Sequence, residues 1–160
     1  MSLIAVLDVD QHEVAEIRID PITGSRSLFS KKPFRPHEVI IGFMAKDVHS
    51  EPNYLTVQID EHVHIELLPE CLECCNHSCE PNCFFDTTRM EFITLRAIAP
   101  GEEFTFFYPS AEWDMDRPFD CQCGSEHCLG VIKGARYLEP AVIARYQFTD
   151  FIQKKLASRG

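Results

Sequence analysis

Eight cysteines sit in a chain of 160 residues, seven of them in two tight clusters, and their spacing limits the possible folds more than any other feature. "CCNHSCEPNC" (74–83) holds four thiols, and far downstream "CQCGSEHC" (121–128) holds three more. Cys121, Cys123 and Cys128 form three soft ligands on one loop, where Gly124 and Ser125 let the chain turn. A structural zinc site needs four tetrahedral ligands, so this loop is one short. His127 is one candidate for the fourth, beside Cys128. A thiolate from "NHSC", Cys79, is the favoured one, and it ties two distant segments together. Four thiolates leave no open coordination position, so the single ion expected here is structural. Cys71, Cys74, Cys75 and Cys83 contain a two-residue spacing that suits a second metal, but small buried apolar residues are the preferred reading, since free cysteine imitates them well.

Clustered thiols bind metal in a reducing compartment, whereas disulfide frameworks belong to exported mini-proteins. The opening "LIAVL" runs into Asp8 and Asp10 instead of a cleavage site, and no apolar run reaches the roughly 18 residues that span a bilayer. An intracellular chain without a membrane segment is expected, with nucleus and cytoplasm not distinguished and the oligomeric state open. The 45% hydrophobic content supports one compact core. A net charge of −10 argues against a phosphate-binding surface and favours a basic protein or peptide as partner.

Strand-period alternation recurs in "LIAVLDVD", "AEIRID", "EVIIGF", "YLTVQID", "HVHIELL", "MEFITLRAI" and "EEFTFFY", separated by turn chemistry such as "DPITGS", "KPFRP" and "APGE". This predicts a mainly β fold. Two exceptions stand out. "PECLECC" predicts a short internal helix opened by Pro69, and "EPAVIARYQFTDFIQKKL" predicts a C-terminal helix with Pro140 in its first turn and Lys154 and Lys155 in its last. His62 and His64 read as a solvent-facing pair on one side of a strand.

"NHSCEPNC", then "APGEEFTFFYP", then "FDCQCGSEHCLG" resemble, in the same order, the blocks of SET-domain protein lysine methyltransferases with a cysteine-containing post-SET segment. The resemblance spans roughly residues 20 to 135. It implies several small sheets with a knot-like C-terminal substructure, divided as a SET domain (1–118), a post-SET zinc segment (119–135) and a C-terminal helix (136–160). It also implies S-adenosylmethionine as methyl donor, held by Asn76 and His77 with the early turn Ser25, Arg26, Ser27 and with Leu129. One zinc on Cys79, Cys121, Cys123 and Cys128 follows from the same likeness.

Methyl transfer from a sulfonium to an amine is an in-line displacement, so the protein's tasks are to align the reactants and keep the amine neutral. A narrow aromatic channel serves both, because desolvation lowers a lysine pKa. By the resemblance Tyr108 has its hydroxyl at the transfer point, and Tyr54 and Phe106 line the channel. Phe in place of Tyr at 106 leaves room for a methylated amine to turn and react again, which implies a di- or trimethyl product. A histone tail is the first substrate to consider. Two departures from the family pattern occur: Phe107 stands where an acidic residue is usual, and Ser25 and Ser27 stand where the donor-binding turn carries glycines. The alternative reading is therefore a silent SET-like module that binds a lysine-bearing peptide without using the donor; a purely structural zinc-binding module is a third.

Overall fold

The computed structural model describes residues 13–159, so the expected first strand "LIAVLDVD" lies outside the described residues. Twelve short strands build four small sheets. β1 (Ala15–Ile19) and β2 (Arg26–Ser30) form an antiparallel hairpin in which Ala15 faces Ser30 and Ile19 faces Arg26. β4 (Met44–His49), β6 (Val63–Leu68) and β5 (Val57–Asp60) form a three-stranded antiparallel sheet in that spatial order.

The largest sheet runs β3 (Val39–Gly42), β9 (Glu91–Thr94), β8 (Cys83–Asp86), β10 (Thr105–Phe106), β7 (Asn76–His77). β10 pairs in parallel with both β7 and β8 and so passes between two strands that are consecutive in sequence. That crossing is the knot-like element, and it sets "NHSC" beside "FTFFY". β11 (Phe119–Asp120) and β12 (Val131–Ile132) pair across the cysteine loop.

The main core is built from the inward faces of these strands, with Leu28, Ile65, Phe85, Phe92 and Phe104 sealed from solvent. Phe85 stacks on Phe92 at 4.5 Å and meets Phe106 edge-on at 4.7 Å. Aromatic rings dominate because single-residue alternation on very short strands gives each strand only two or three inward positions, and large side chains fill the space. Cys74, Cys75 and Cys83 are buried in this core with Cys71 packed against it, as small apolar residues. The Cys75 thiol donates to the Phe104 carbonyl at 3.4 Å.

A second core cluster joins Phe107, Ala135, Phe148 and Ile152. It shows where the expected C-terminal helix departs from the structure. The segment breaks into a turn at Ala135–Tyr137, a short helix Pro140–Ile143 and a separate helix Asp150–Ser158. The break places Tyr146 and Phe148 on Phe107, and Thr149 starts the last helix by accepting from the Ile152 amide at 3.3 Å. A continuous helix cannot present these rings to one face while Thr149 donates its own amide to the Ser110 carbonyl. "PECLECC" forms a single 3-10 stretch, Glu70–Cys74, with Pro69 one position before it. His64 also differs from expectation: it is buried, and burial lowers its pKa, whereas His62 is exposed.

Candidate functional site

The parallel contact between β7 and β10 places His77 beside Tyr108, and the ring of His77 joins three parts of the site. Its Nδ1 accepts from the Tyr108 amide at 3.1 Å, which leaves Nε2 to carry the proton and face the Cys79 sulfur at 3.4 Å. Phe107, Tyr108 and Phe119 surround the imidazole at centroid distances of 5.2–5.7 Å. Burial in this shell pushes the His77 pKa down to about 4. Both ring nitrogens are thus engaged within the protein.

Asn76 faces the other way. Its side-chain amide donates to the Arg26 carbonyl at 3.1 Å and the Ser27 hydroxyl at 3.0 Å, with Glu103 at 3.3 Å. Arg26, Ser27 and Asn76 are therefore brought together across about fifty residues of sequence. The two serines at glycine positions cause no backbone strain, because among the described residues the non-glycine positive φ angles are at His37 and Met90. The turn takes its left-handed residue at Gly24, φ 76°, one place before Ser25.

Tyr108 lies at the back of a cavity of about 350 Å³ walled by Tyr54, Tyr108, Phe119 and Met115, with Glu112, Asp116 and Arg117 at its polar side. The phenol hydroxyl donates to the Cys75 carbonyl at 3.3 Å, and burial raises its pKa, so it stays protonated. A protonated phenol in an aromatic cavity is a hydrogen-bond donor or acceptor for a small polar group and not a base. Tyr54 is 65% exposed, with the Arg117 guanidinium 4.9 Å above its ring, so it forms the rim. Phe106 is not on the wall; it packs behind Tyr108 at 4.7 Å, in the core. The sequence reading missed Glu112, Phe119 and Arg117. Only the proximity of Glu112 to Tyr108 in the chain hinted at the first.

The sulfurs of Cys79, Cys121, Cys123 and Cys128 all lie within 4.8 Å of one another, and Cys79 and Cys121 are 4.0 Å apart. Tetrahedral zinc–thiolate bonds of about 2.3 Å set sulfurs about 3.8 Å apart, so the cluster fits such an ion closely. The Leu129 amide donates to the Cys79 sulfur at 3.4 Å, which adds to the His77 contact the outer-shell support typical of thiolate ligands. His127 is exposed and outside this group; its amide bonds the Ser125 hydroxyl. The Leu129 side chain packs into the second core cluster, away from the Tyr108 cavity. Among the described residues this is the one His, Cys, Asp and Glu group close enough to hold a metal.

A protein-family model described as SET domain matches residues 25–109, more than half of the chain. Methyltransferase flvH of Aspergillus flavus is 43% identical over 108 residues, covering 66% of this chain and 60% of that protein. The H3 lysine-36 specific histone-lysine N-methyltransferase of Chaetomium globosum is 41% identical over 73 residues, 42% of this chain and 8% of that protein. The Gibberella zeae protein of the same description gives the same values. The chain thus spans less than two thirds of the length of the curated relatives it matches.

Proposed function

This chain belongs to the SET-domain family, and from that membership we propose that it is a protein-lysine methyltransferase that uses S-adenosylmethionine. The observation that carries the reading is the position of Tyr108: its hydroxyl closes an aromatic cavity while its backbone amide is fixed by His77, next in sequence to Asn76 and its Arg26–Ser27 partners. An amine channel and a candidate donor pocket then meet at one residue.

When bound, the donor supplies a methyl group activated by a sulfonium. The protein's own part is to align and desolvate. Arg26, Ser27, Asn76 and the main chain of His77 would hold the donor, with Ser25 and Leu129 at the edges of that pocket. Tyr54, Phe119 and Met115 strip water from an entering lysine side chain, which lowers its pKa and frees the lone pair. The Tyr108 hydroxyl, kept protonated by burial, positions the amine. Phe106 supports the tyrosine ring from behind, outside the cavity wall, so a di- or trimethyl product is proposed from the likeness to the family at that position alone.

The four thiolates would hold one structural zinc, which fixes the loop 121–128 to Cys79 and thus to β7. The same geometry supports a division into a SET domain (1–118), a post-SET segment (119–135) and a C-terminal region (136–160). An intracellular setting is part of the same proposal, because clustered thiols bind metal in a reducing compartment. A basic protein is the substrate class, and histone H3 is the first candidate because several relatives are described as H3 lysine-36 specific.

The test is methyl transfer to recombinant histone H3 and to a panel of lysine-rich proteins, read by mass spectrometry with the zinc-loaded chain and its Tyr108→Phe variant. Transfer to lysine that is lost in the variant supports the proposal. No transfer to any member of the panel, from a chain that is folded and binds the donor, would favour the silent peptide-binding module.

A further inference from the structure

The cavity in front of Tyr108 holds two carboxyl groups and one guanidinium, from Glu112, Asp116 and Arg117. Asp116 pairs with Arg117 at 3.8 Å, and Arg117 also covers the Tyr54 ring at the rim. That leaves Glu112. Among the described residues its carboxyl has no hydrogen bond and no ion pair, and the charge acting on it is the repulsive one of Asp116. Only its backbone carbonyl is engaged, by the Ala135 amide. A partly buried carboxyl without a partner is costly, and side chains kept in that state occupy places where a ligand completes them.

The position is well defined. In the 3-10 turn Tyr108–Ser110 the Phe107 and Tyr108 carbonyls accept from the Ser110 and Ala111 amides, and the Trp113 amide donates to the Gln58 side chain. Glu112 is fixed between these anchors, on the wall shared with Tyr108, and the aromatic rings of Tyr54, Tyr108 and Phe119 complete the enclosure. Aromatic faces and one carboxylate together suit an organic cation: the rings attract positive charge, and the carboxylate takes up N–H donors.

We propose that Glu112 is a specificity-determining residue of this cavity: its carboxyl receives the substrate ammonium through N–H hydrogen bonds, selecting primary and partly methylated amines over neutral and fully methylated ones. The inference rests on the lysine-methyltransferase reading and names the group that recognises the incoming ammonium there, before its proton is lost and the lone pair is freed. Each methyl added removes one N–H, so the hold weakens as methylation advances. Glu112 thus acts against full methylation, and the strength of its hold sets where methylation stops.

The experiment uses n-butylammonium as the probe, the chemical end of a lysine side chain, so no peptide sequence has to be known. Binding to the full chain is followed by NMR shifts of the Tyr54, Tyr108 and Phe119 rings. Wild type should bind butylammonium and bind N,N,N-trimethylbutylammonium and 1-butanol at least about tenfold more weakly; Glu112→Gln, which keeps size, should lose about tenfold for butylammonium and little for the other two. Equal butylammonium affinity in wild type and variant, or no binding to wild type, overturns the inference. Methyl transfer is scored in parallel on both proteins. Selective binding through Glu112 without any methyl transfer removes the enzyme reading and leaves the cation site; equal transfer and equal product distribution in Glu112→Gln leave the enzyme and remove the role of Glu112.

Discussion

Tyr146 offers a quantitative test of whether the C-terminal segment braces the site. Its ring lies flat on Phe107 at 3.7 Å and 2°, and its hydroxyl donates to the carbonyl of Cys79 at 2.7 Å. Tyr146→Phe removes only the hydrogen bond. Cys79 is buried, but Tyr146 is half-exposed, so water replaces part of the loss and the cost is about 1 kcal/mol. Tyr146→Ala removes the stack as well, for a further ~1 kcal/mol, and leaves a gap over Phe107 that brings the total to about 3 kcal/mol. For a chain of this size each kcal/mol moves Tm by roughly 2–4 °C, so drops of about 3 °C and about 9 °C are expected. Circular dichroism melts of the zinc-loaded proteins measure both. An alanine variant no less stable than the phenylalanine one would mean that the ring stack contributes nothing, and the bracing argument would fail.

Tyr108→Phe should reduce methyl transfer at least about a hundredfold, while its long 3.3 Å bond to Cys75 predicts a Tm within ~3 °C of wild type; a variant with near-normal turnover refutes the positioning role. Cys79→Ser should lower bound zinc below one per chain and make the loop 121–128 sensitive to protease, both read on one sample; full metal content would point instead to His127. Glu112 gives a pH signature. Burial raises its folded-state pKa above 4.5, so the native state holds more protons than the unfolded one above that value, and stability falls as pH rises through the folded pKa. Glu112→Gln should therefore be more stable than wild type at alkaline pH and converge with it below pH 4.5 once allowance is made for the amide itself, as denaturant melts across pH will show.

The sequence signals that proved legible were those with a local physical cause. Alternation found β1, β3, β5, β6 and β9, although only β9 buries every second residue and β1 is mostly exposed. It missed β2, β4, β8, β11 and β12. β8, "CFFD", is buried on both sides and carries no alternation, and β4, "MAKDVH", buries no residue fully, with Lys46 in an ion-pair cluster with Glu66, Glu70 and Glu73. β10 falls inside the alternating "EEFTFFY", whereas β7, also two residues long, exists only because the crossing sets it beside β10, which no local pattern can encode.

The site was legible in the same uneven way. Cys79 was readable because tetrahedral metal chemistry demanded a fourth ligand, and the four sulfurs do converge. The aromatic block exposed Tyr108, but not that Phe106 lies behind it and Phe119 in front, since neighbours along a strand and across a turn look alike in sequence. Helical spacing in the last segment was real, yet Phe107 outcompeted it for Tyr146 and Phe148. Ser25 and Ser27 looked unfavourable at glycine positions, but the hairpin turns at Gly24 instead.

Donor binding decides the matter, because every catalytic step proposed depends on it and because those two serines would lie at its proposed site. Titration calorimetry of the zinc-loaded chain with S-adenosylmethionine, alone and with a saturating histone H3 peptide, reads it directly. The Arg26, Ser27 and Asn76 arrangement predicts saturable binding of one donor per chain, weakened when Asn76 is replaced by alanine. No heat in either condition, from a folded protein carrying its metal, would contradict the methyltransferase and leave a binding module in its place.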